Sequence, residues 1–293
     1  MSIRFSVLAS GSRGNASVLR AGGASLLIDL GLGPRSMAAR LATAGMGWGE
    51  VGGALLTHTH GDHLNDATLR YMARMGVRLH CHEGHPPAMA RHSGFRELDR
   101  RGLVRTYDDR PFLAPNGLRV EPLTLKHDAG PTYGFRVEGR EGRKRPSSVG
   151  YLADTGCWTE GLADALTDID LLAVEFNHDV EMQRTSGRSP YLIARNLGDR
   201  GHLSNAQGAR LVESILRRSG PSALRHLVLL HLSEQCNRPE IAWAEAWQAL
   251  RAFDRRSAVH VARQETVSPE MAVKAAPRRR AVAAASLFPW EAA

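Results

Sequence analysis

The segment His58-Thr59-His60-Gly61-Asp62-His63 limits this chain more than any other feature. Three imidazoles and a carboxylate lie within six residues, directly behind the short apolar run Ala54-Leu55-Leu56-Thr57. Residues i and i+2 of an extended segment point to the same side, so His58 and His60 can reach one point together. Gly61 turns the chain, and Asp62 and His63 then aim at a neighbouring point. Imidazole nitrogen and carboxylate oxygen are the donors that suit zinc, or manganese where oxygen ligands weigh more. A lone histidine is more often a surface or core residue than a ligand. Three at this spacing, with an aspartate among them, form a metal-binding pattern.

The surrounding sequence reads as strands first, then strand and helix in alternation. Residues 5–9, 17–19 and 25–29 are strand-like, with a hairpin signal at Gly22-Gly23. Pro34 opens a helix that Gly45 stops, and Asn65 or Asp66 caps another. Strands follow between Leu103 and Gly150. Leu171-Leu172-Ala173-Val174 and Leu227-Val228-Leu229-Leu230 are further strands, with helices over 205–218 and 239–253 and a last strand at Ala258-Val259-His260-Val261. Two such halves predict an α/β four-layer sandwich, two mixed β-sheets packed face to face with helices outside. Residues 1–268 are expected to form this domain. Residues 269–293, rich in Ala, Arg and Pro without apolar periodicity, are expected to be a basic, disordered tail.

Composition excludes several classes. No run approaches the roughly 18 apolar residues of a membrane span, and the N-terminus lacks the signature of a secretory signal, so a cytoplasmic protein with no membrane partner is expected. Cys81, Cys157 and Cys236 are odd in number and far apart, which argues against a disulfide framework. The 38 Lys and Arg against 30 Asp and Glu give a net charge of +8, a balance that favours polyanionic partners.

The run His58-x-His60-x-Asp62-His63 resembles the H-x-H-x-D-H signature of the metallo-β-lactamase superfamily. The resemblance implies a metallo-β-lactamase αββα sandwich holding two divalent metal ions, Zn2+ or Mn2+. His58, His60 and His127 would hold the first ion, and Asp62, His63 and His231 the second. Asp154, at the end of the strand-like Gly150-Tyr151-Leu152-Ala153, would bridge them. Two metals about 3.5–4 Å apart can lower the pKa of a bridging water and supply hydroxide at neutral pH. Asp62 would hydrogen-bond that hydroxide as well as ligate, and so counts among the catalytic residues.

Three features narrow the branch. The bridging position is Asp154, where the best-known zinc β-lactamases carry cysteine. Only 76 residues lie between Asp154 and His231 (positions 155–230), too few for the inserted domain of many RNA-processing relatives. Gly201-His202-Leu203-Ser204-Asn205 resembles RNase Z, which implies His202 as a general acid for the leaving group, oriented by Glu175. More narrowly, Ala9-Ser10-Gly11-Ser12-x-Gly14-Asn15, Asp29-x-Gly31, His127-Asp128-Ala129, Tyr151-Leu152-x-Asp154-Thr155-Gly156, Glu175-x-Asn177-His178-Asp179 and His231-Leu232-Ser233 together resemble the YycJ/WalJ family. The resemblance covers about residues 3–265 and implies a metal-dependent nuclease, a DNA exonuclease. One departure is Glu234-Gln235-Cys236-Asn237, where the family often has a second Asn. The alternative is a small-molecule metallo-hydrolase of the same fold: a glyoxalase II-like thioesterase, a lactonase or a cyclic phosphodiesterase.

Further candidates carry two readings each. Ser10, Gly11, Ser12 and Asn15 form a small-residue loop that can offer backbone N–H groups to a substrate phosphate, or simply turn the chain. Asn177 and His178 are expected to line the cleft and bind substrate, or to be structural. His80, His82, His85 and His92 read as surface residues. Arg184, Arg188, Arg195 and Arg200 can track a phosphate backbone or form a solvated face, and the same holds for the basic tip Arg140, Arg143, Lys144 and Arg145. Ser286-Leu287-Phe288 resembles the end of a sliding-clamp-binding peptide, so clamp docking through the tail is a further expectation.

Overall fold

The computed structural model describes residues 3–140 and 145–275. Two seven-stranded mixed sheets make up its centre. The first runs β14 (Met271–Val273), β1 (Ile3–Ala9), β2 (Ala16–Ala21), β3 (Ala24–Ile28), β4 (Val51–Leu55), β5 (Arg78–His82) and β6 (Val104–Tyr107). The second runs β13 (Ala258–Val261), β12 (His226–Leu230), β11 (Leu171–Glu175), β10 (Ser147–Leu152), β9 (Tyr133–Gly139), β8 (Arg119–Thr124) and β7 (Phe112–Leu113). Each sheet has the same grammar, antiparallel hairpins followed by parallel strands. β3 to β6 are parallel neighbours in the first sheet, and β10 to β13 in the second.

The period-2 alternation of side chains explains why the sheets stack. Ile3, Phe5 and Val7 of β1, Val149 and Tyr151 of β10, and Val228 and Leu230 of β12 meet in one buried cluster between the sheets. The alternate positions face outward onto helices. Leu27 and Leu79 pack under α1 (Pro34–Thr43), α2 (Asp66–Met75) and α4 (Ser93–Arg100), with the short α3 (Pro86–Met89) beside them. Leu172, Val174, Leu227 and Leu229 pack under α5 (Glu160–Ala165), α8 (Asn205–Arg218) and α9 (Pro239–Arg251). The expected four-layer αββα order is therefore what the apolar pattern builds. The remaining helices, α6 (Val180–Arg184) and α7 (Pro190–Leu197), lie in the connection from β11 to α8.

Caps match the sequence signals. Asn65, not Asp66, caps α2 by accepting from the Thr68 N–H, and Ser204 with Gln207 forms a capping box on α8.

Two expectations need correction. The domain does not stop at residue 268. Residues 271–273 pair antiparallel with β1, and Met271 and Val273 are buried in the core between the sheets. Three residues are too short a run to show a period, so this strand was invisible beside the low-complexity sequence that follows. Residues 276–293, which include the clamp-like peptide, lie outside the described residues, as do Arg143 and Lys144. His80 and His85 are buried rather than on the surface. The ring of His80 stacks on Phe112, and His85 Nε2–H donates to the Pro131 carbonyl at 2.9 Å. Burial pushes both imidazoles down to about 4, so they pack as neutral rings.

Because Met271 sits in the central core, Met271→Ala should lower the unfolding free energy by about 2–5 kcal/mol. Urea titration of chelated protein would measure it, and a change below about 0.5 kcal/mol would place residues 271–273 with the tail.

Candidate metal centre

The parallel strands of both sheets end at one rim, and the expected ligands stand there. β4 leads through Thr57 into His58, β10 into Asp154 and β12 into His231, while His127 follows β8. Asp154 (φ 47°) and His231 (φ 55°) take left-handed backbone conformations, as does Asp29 (φ 64°) at the end of β3. Such conformations cost of order 1 kcal/mol or more at a non-glycine residue. Here they turn Asp154 and His231 off their strands towards the other donors, and Asp29 towards His63 and Thr57.

The structure brings all seven expected ligands into two overlapping groups that share Asp154. One is His58, His60, His127 and Asp154; the other is Asp62, His63, Asp154 and His231. Within each, the donor atoms lie within 4.8 Å of one another. Asp154 Oδ2 stands 3.7 Å from His58 Nε2, 3.7 Å from His127 Nε2 and 3.4 Å from His63 Nε2. His60 Nδ1 is 3.2 Å from His127 Nε2, and His231 Nε2 is 3.3 Å from Asp62 Oδ2. Among the described residues His58 Nε2 is buried with no hydrogen-bond partner, and Asp154 Oδ1, also without a hydrogen bond, has His231 Nδ1 at 3.2 Å. Unpartnered donors facing a shared centre fit cations better than they fit a protein core, where such groups are normally satisfied. The donor set, five imidazoles and two carboxylates, suits divalent zinc or manganese.

Polar neighbours behind the ligands aim them. His63 Nδ1–H donates to Asp29 Oδ2 at 2.7 Å. The Thr57 N–H and hydroxyl both donate to Asp29 Oδ1 at 2.9 Å. His58 Nδ1–H then donates to Thr57 Oγ1 at 3.0 Å. His127 Nδ1–H donates to the Gly201 carbonyl at 2.8 Å. Each bond occupies the far nitrogen and leaves Nε2 facing the centre, the usual role of a histidine ligand's outer partner. Asp29 entered the sequence reading only within the Asp29-x-Gly31 motif, with no role assigned to it, and Thr57 only as the end of an apolar strand.

Glu175, at the end of β11, is fully buried and ties two histidines together. Its Oε1 accepts from His202 Nδ1–H at 2.7 Å and from His231 Nδ1–H at 3.1 Å. Its Oε2 accepts the Thr155 and Leu203 N–H groups at 2.9 and 3.1 Å. Burial alone would raise this carboxyl, but His202 and His231 outweigh it and hold it at about 2. Asp154 is likewise held well below the carboxylate range, against burial, by His231 and His63. Burial lowers His58, His60 and His127, keeping these imidazoles neutral. His231 differs: burial would lower it, but Asp154, Asp62 and Glu175 raise it to about 10. His202 sits over the centre, its ring 5.0 Å from that of His127 and 5.2 Å from that of His231.

Residues 25–231 match the β-lactamase superfamily domain. Exodeoxyribonuclease YycJ of Bacillus anthracis is 30% identical over 254 residues, which cover 85% of this chain and 90% of YycJ. The chain belongs to the β-lactamase superfamily, among the WalJ and YycJ proteins. Exodeoxyribonuclease WalJ of Streptococcus pneumoniae serotype 2 is 29% identical over 246 residues, 82% of this chain and 85% of WalJ. The metallo-β-lactamase fold protein YhfI of Bacillus subtilis superposes with a TM-score of 0.63 at 16% identity, covering 91% of this chain and 99% of YhfI. That likeness concerns the fold.

In this member of the superfamily the loop after β1 serves the centre differently from the expected N–H cradle. The N–H groups of Ser10, Gly11, Arg13, Gly14 and Asn15 all bond inside the protein, to Arg263, Asn15, Gln264, Gly11 and Asp62 respectively. Ser10 is buried, and its Oγ accepts the His231 N–H at 2.8 Å. Asn15 Nδ2 reaches His63 Nε2 at 2.9 Å and Asp62 Oδ2 at 3.3 Å, at the edge of the centre. Ser12 is exposed. Asn177 and His178 do not line the cleft either. Both are buried, and Asn177 Nδ2 donates to the His231 carbonyl at 2.8 Å. Asn177 thus braces His231 from behind, while His178 Nδ1 lies 3.3 Å from Asn177 Oδ1. Among the four arginines expected near the site, Arg195 is engaged by Asp128, as described below.

Asp29→Asn keeps the shape but gives His63 an uncharged outer partner. Metal affinity should fall about 10–100-fold, measured by competition with a chromophoric chelator. Unchanged affinity would mean that Asp29 supports the fold alone.

Proposed function

We propose that the chain is a metal-dependent phosphodiesterase acting on nucleic acid, a DNA exonuclease with two divalent ions, Zn2+ or Mn2+. The observation that carries the reading is the pairing of two donor sets on Asp154 with the Glu175–His202 pair beside them. The exodeoxyribonuclease relatives support DNA as the substrate, and the net charge of +8 suits a polyanion. Among the described residues no helix is long and apolar enough to cross a membrane.

His58, His60 and His127 would hold one ion, and Asp62, His63 and His231 the other, with Asp154 common to both donor sets. Bound there, such ions would supply Lewis acidity, lowering the pKa of a water and offsetting charge on the phosphate. The protein's own groups supply the rest. Asp62, partly open to the cleft, is placed to accept a proton from the attacking water. Glu175 fixes His202 through Nδ1, so Nε2 is the nitrogen free to carry a proton to the departing alkoxide. Because Glu175 holds His231 with the same oxygen, the acid and a metal ligand keep a constant separation. Thioester hydrolysis has less need of such an acid, since a thiolate leaves unaided.

His202→Ala tests this directly. Turnover of end-labelled DNA should fall about 10²–10⁴-fold while metal content stays at the wild-type level. Unimpaired cleavage by the variant would remove His202 from the chemistry. Wild-type protein that binds metal but releases no nucleotide from DNA or RNA would overturn the nuclease reading itself.

A further inference from the structure

Beside the centre, on the His60 and His127 side, lies a cleft of about 370 Å³ lined by Asp128, Tyr191, Arg195, Asp199 and Arg200. Its size falls in the range of small-molecule sites. Tyr191 is 80% exposed, more than any other large hydrophobic residue described. Its backbone lies in the anchored first turn of α7. Pro190 opens α7, and the Ser189 hydroxyl caps the helix by accepting the Leu192 N–H. Arg195 lies one turn on from Tyr191, so the two side chains share a face. Its guanidinium grips Asp128 through Nε and Nη2, the latter at 2.9 Å. Asp128 Oδ1 in turn stands 3.7 Å from His60 Nε2 and 3.5 Å from His127 Nε2. The segment lining the cleft continues from Asp199 and Arg200 straight to Gly201, which holds His127, and to His202.

We propose that Tyr191 is a stacking platform for a nucleobase of the substrate strand, one that sets where the strand lies relative to the metal centre. The inference rests on the nuclease reading and specifies the contact that reading lacks. An exposed aromatic ring with only two side-chain torsions offers a flat apolar face at small conformational cost. Every base has a π-face, so a ring in this position grips a strand without reading its sequence. Arg195 cannot serve as a free phosphate contact, because Asp128 already neutralises it; it fixes the wall of the cleft. Arg200, exposed at the other side of the cleft with Nη2 only 3.5 Å from the His127 carbonyl, is the cation placed to meet the backbone of a strand passing from Tyr191 towards His202.

The test uses the full-length protein with Mn2+ or Zn2+ supplied. End-labelled single strands carry one abasic residue moved through the first several positions from each end. With wild-type protein, kcat/KM should drop about 5- to 100-fold at one position, or two adjacent ones, where the base is missing from Tyr191. Tyr191→Ala should flatten that dependence and raise KM for intact strands with little change in kcat. Tyr191→Phe should keep the wild-type profile, since the ring and not the hydroxyl acts. If the Tyr191→Ala profile superimposes on that of wild type, the platform is wrong while the nuclease stands. If wild-type protein degrades no strand, the nuclease reading fails first.

Discussion

The structure turns on one buried carboxylate. Asp154 is almost inaccessible to solvent, and an unpaired ion in such a place costs several kcal/mol. Its Oδ2 has three imidazole nitrogens, of His58, His63 and His127, within 3.4–3.7 Å, and Oδ1 has His231 at 3.2 Å. Without Asp154, the histidines of the two groups would have no carboxylate in common. With it, two sets of donors acquire a common member, and the cavity acquires a reason to bind cations. The left-handed backbone at Asp154 and His231 follows from the same requirement. A regular strand would leave these side chains pointing into one sheet face or the other, and only a sharp turn at the strand end aims them across the gap.

The support of the centre is layered, and it is unequal on the two sides. On the side of the first sheet, Asp29 and Thr57 orient His58 and His63 through short bonds among buried atoms. On the side of the second, Glu175 holds His231 and His202, while Ser10 and Asn177 fix the backbone of His231. Each sheet therefore carries its own buried carboxylate behind its own histidines, and Asp154 joins the two. That division matches the fold, since each sheet contributes a rim of parallel strand ends and neither could complete the donor set alone.

Much of this was legible in the sequence because it is local or periodic. The six-residue histidine run, the apolar strands before Asp154 and His231, and the alternation that sorts Phe5, Leu27, Tyr151 and Leu172 onto opposite faces need no knowledge of distant neighbours. The misread parts depend on partners far away in the chain. The Ser10–Asn15 loop reads equally as a phosphate cradle or a turn, and part of the answer lies some 250 residues further on, where Arg263 and Gln264 take the Ser10 and Arg13 N–H groups. Asn177 and His178 are polar and close to Glu175, yet the segments at 203–205 and 231–237 bond to them and bury them. The Arg195–Asp128 pair joins positions 67 apart, and nothing in either neighbourhood marks the other. Residues 271–273 are a strand only because β1 offers an edge.

The most direct measurement is the metal content of protein purified without chelators, compared with that of Asp154→Asn, by elemental analysis alongside nuclease turnover. If the two donor sets share this carboxylate, wild-type protein carries about two ions per chain, and the variant loses most of both together with its activity. A variant that keeps two tightly bound ions and full turnover would show that residue 154 bridges nothing.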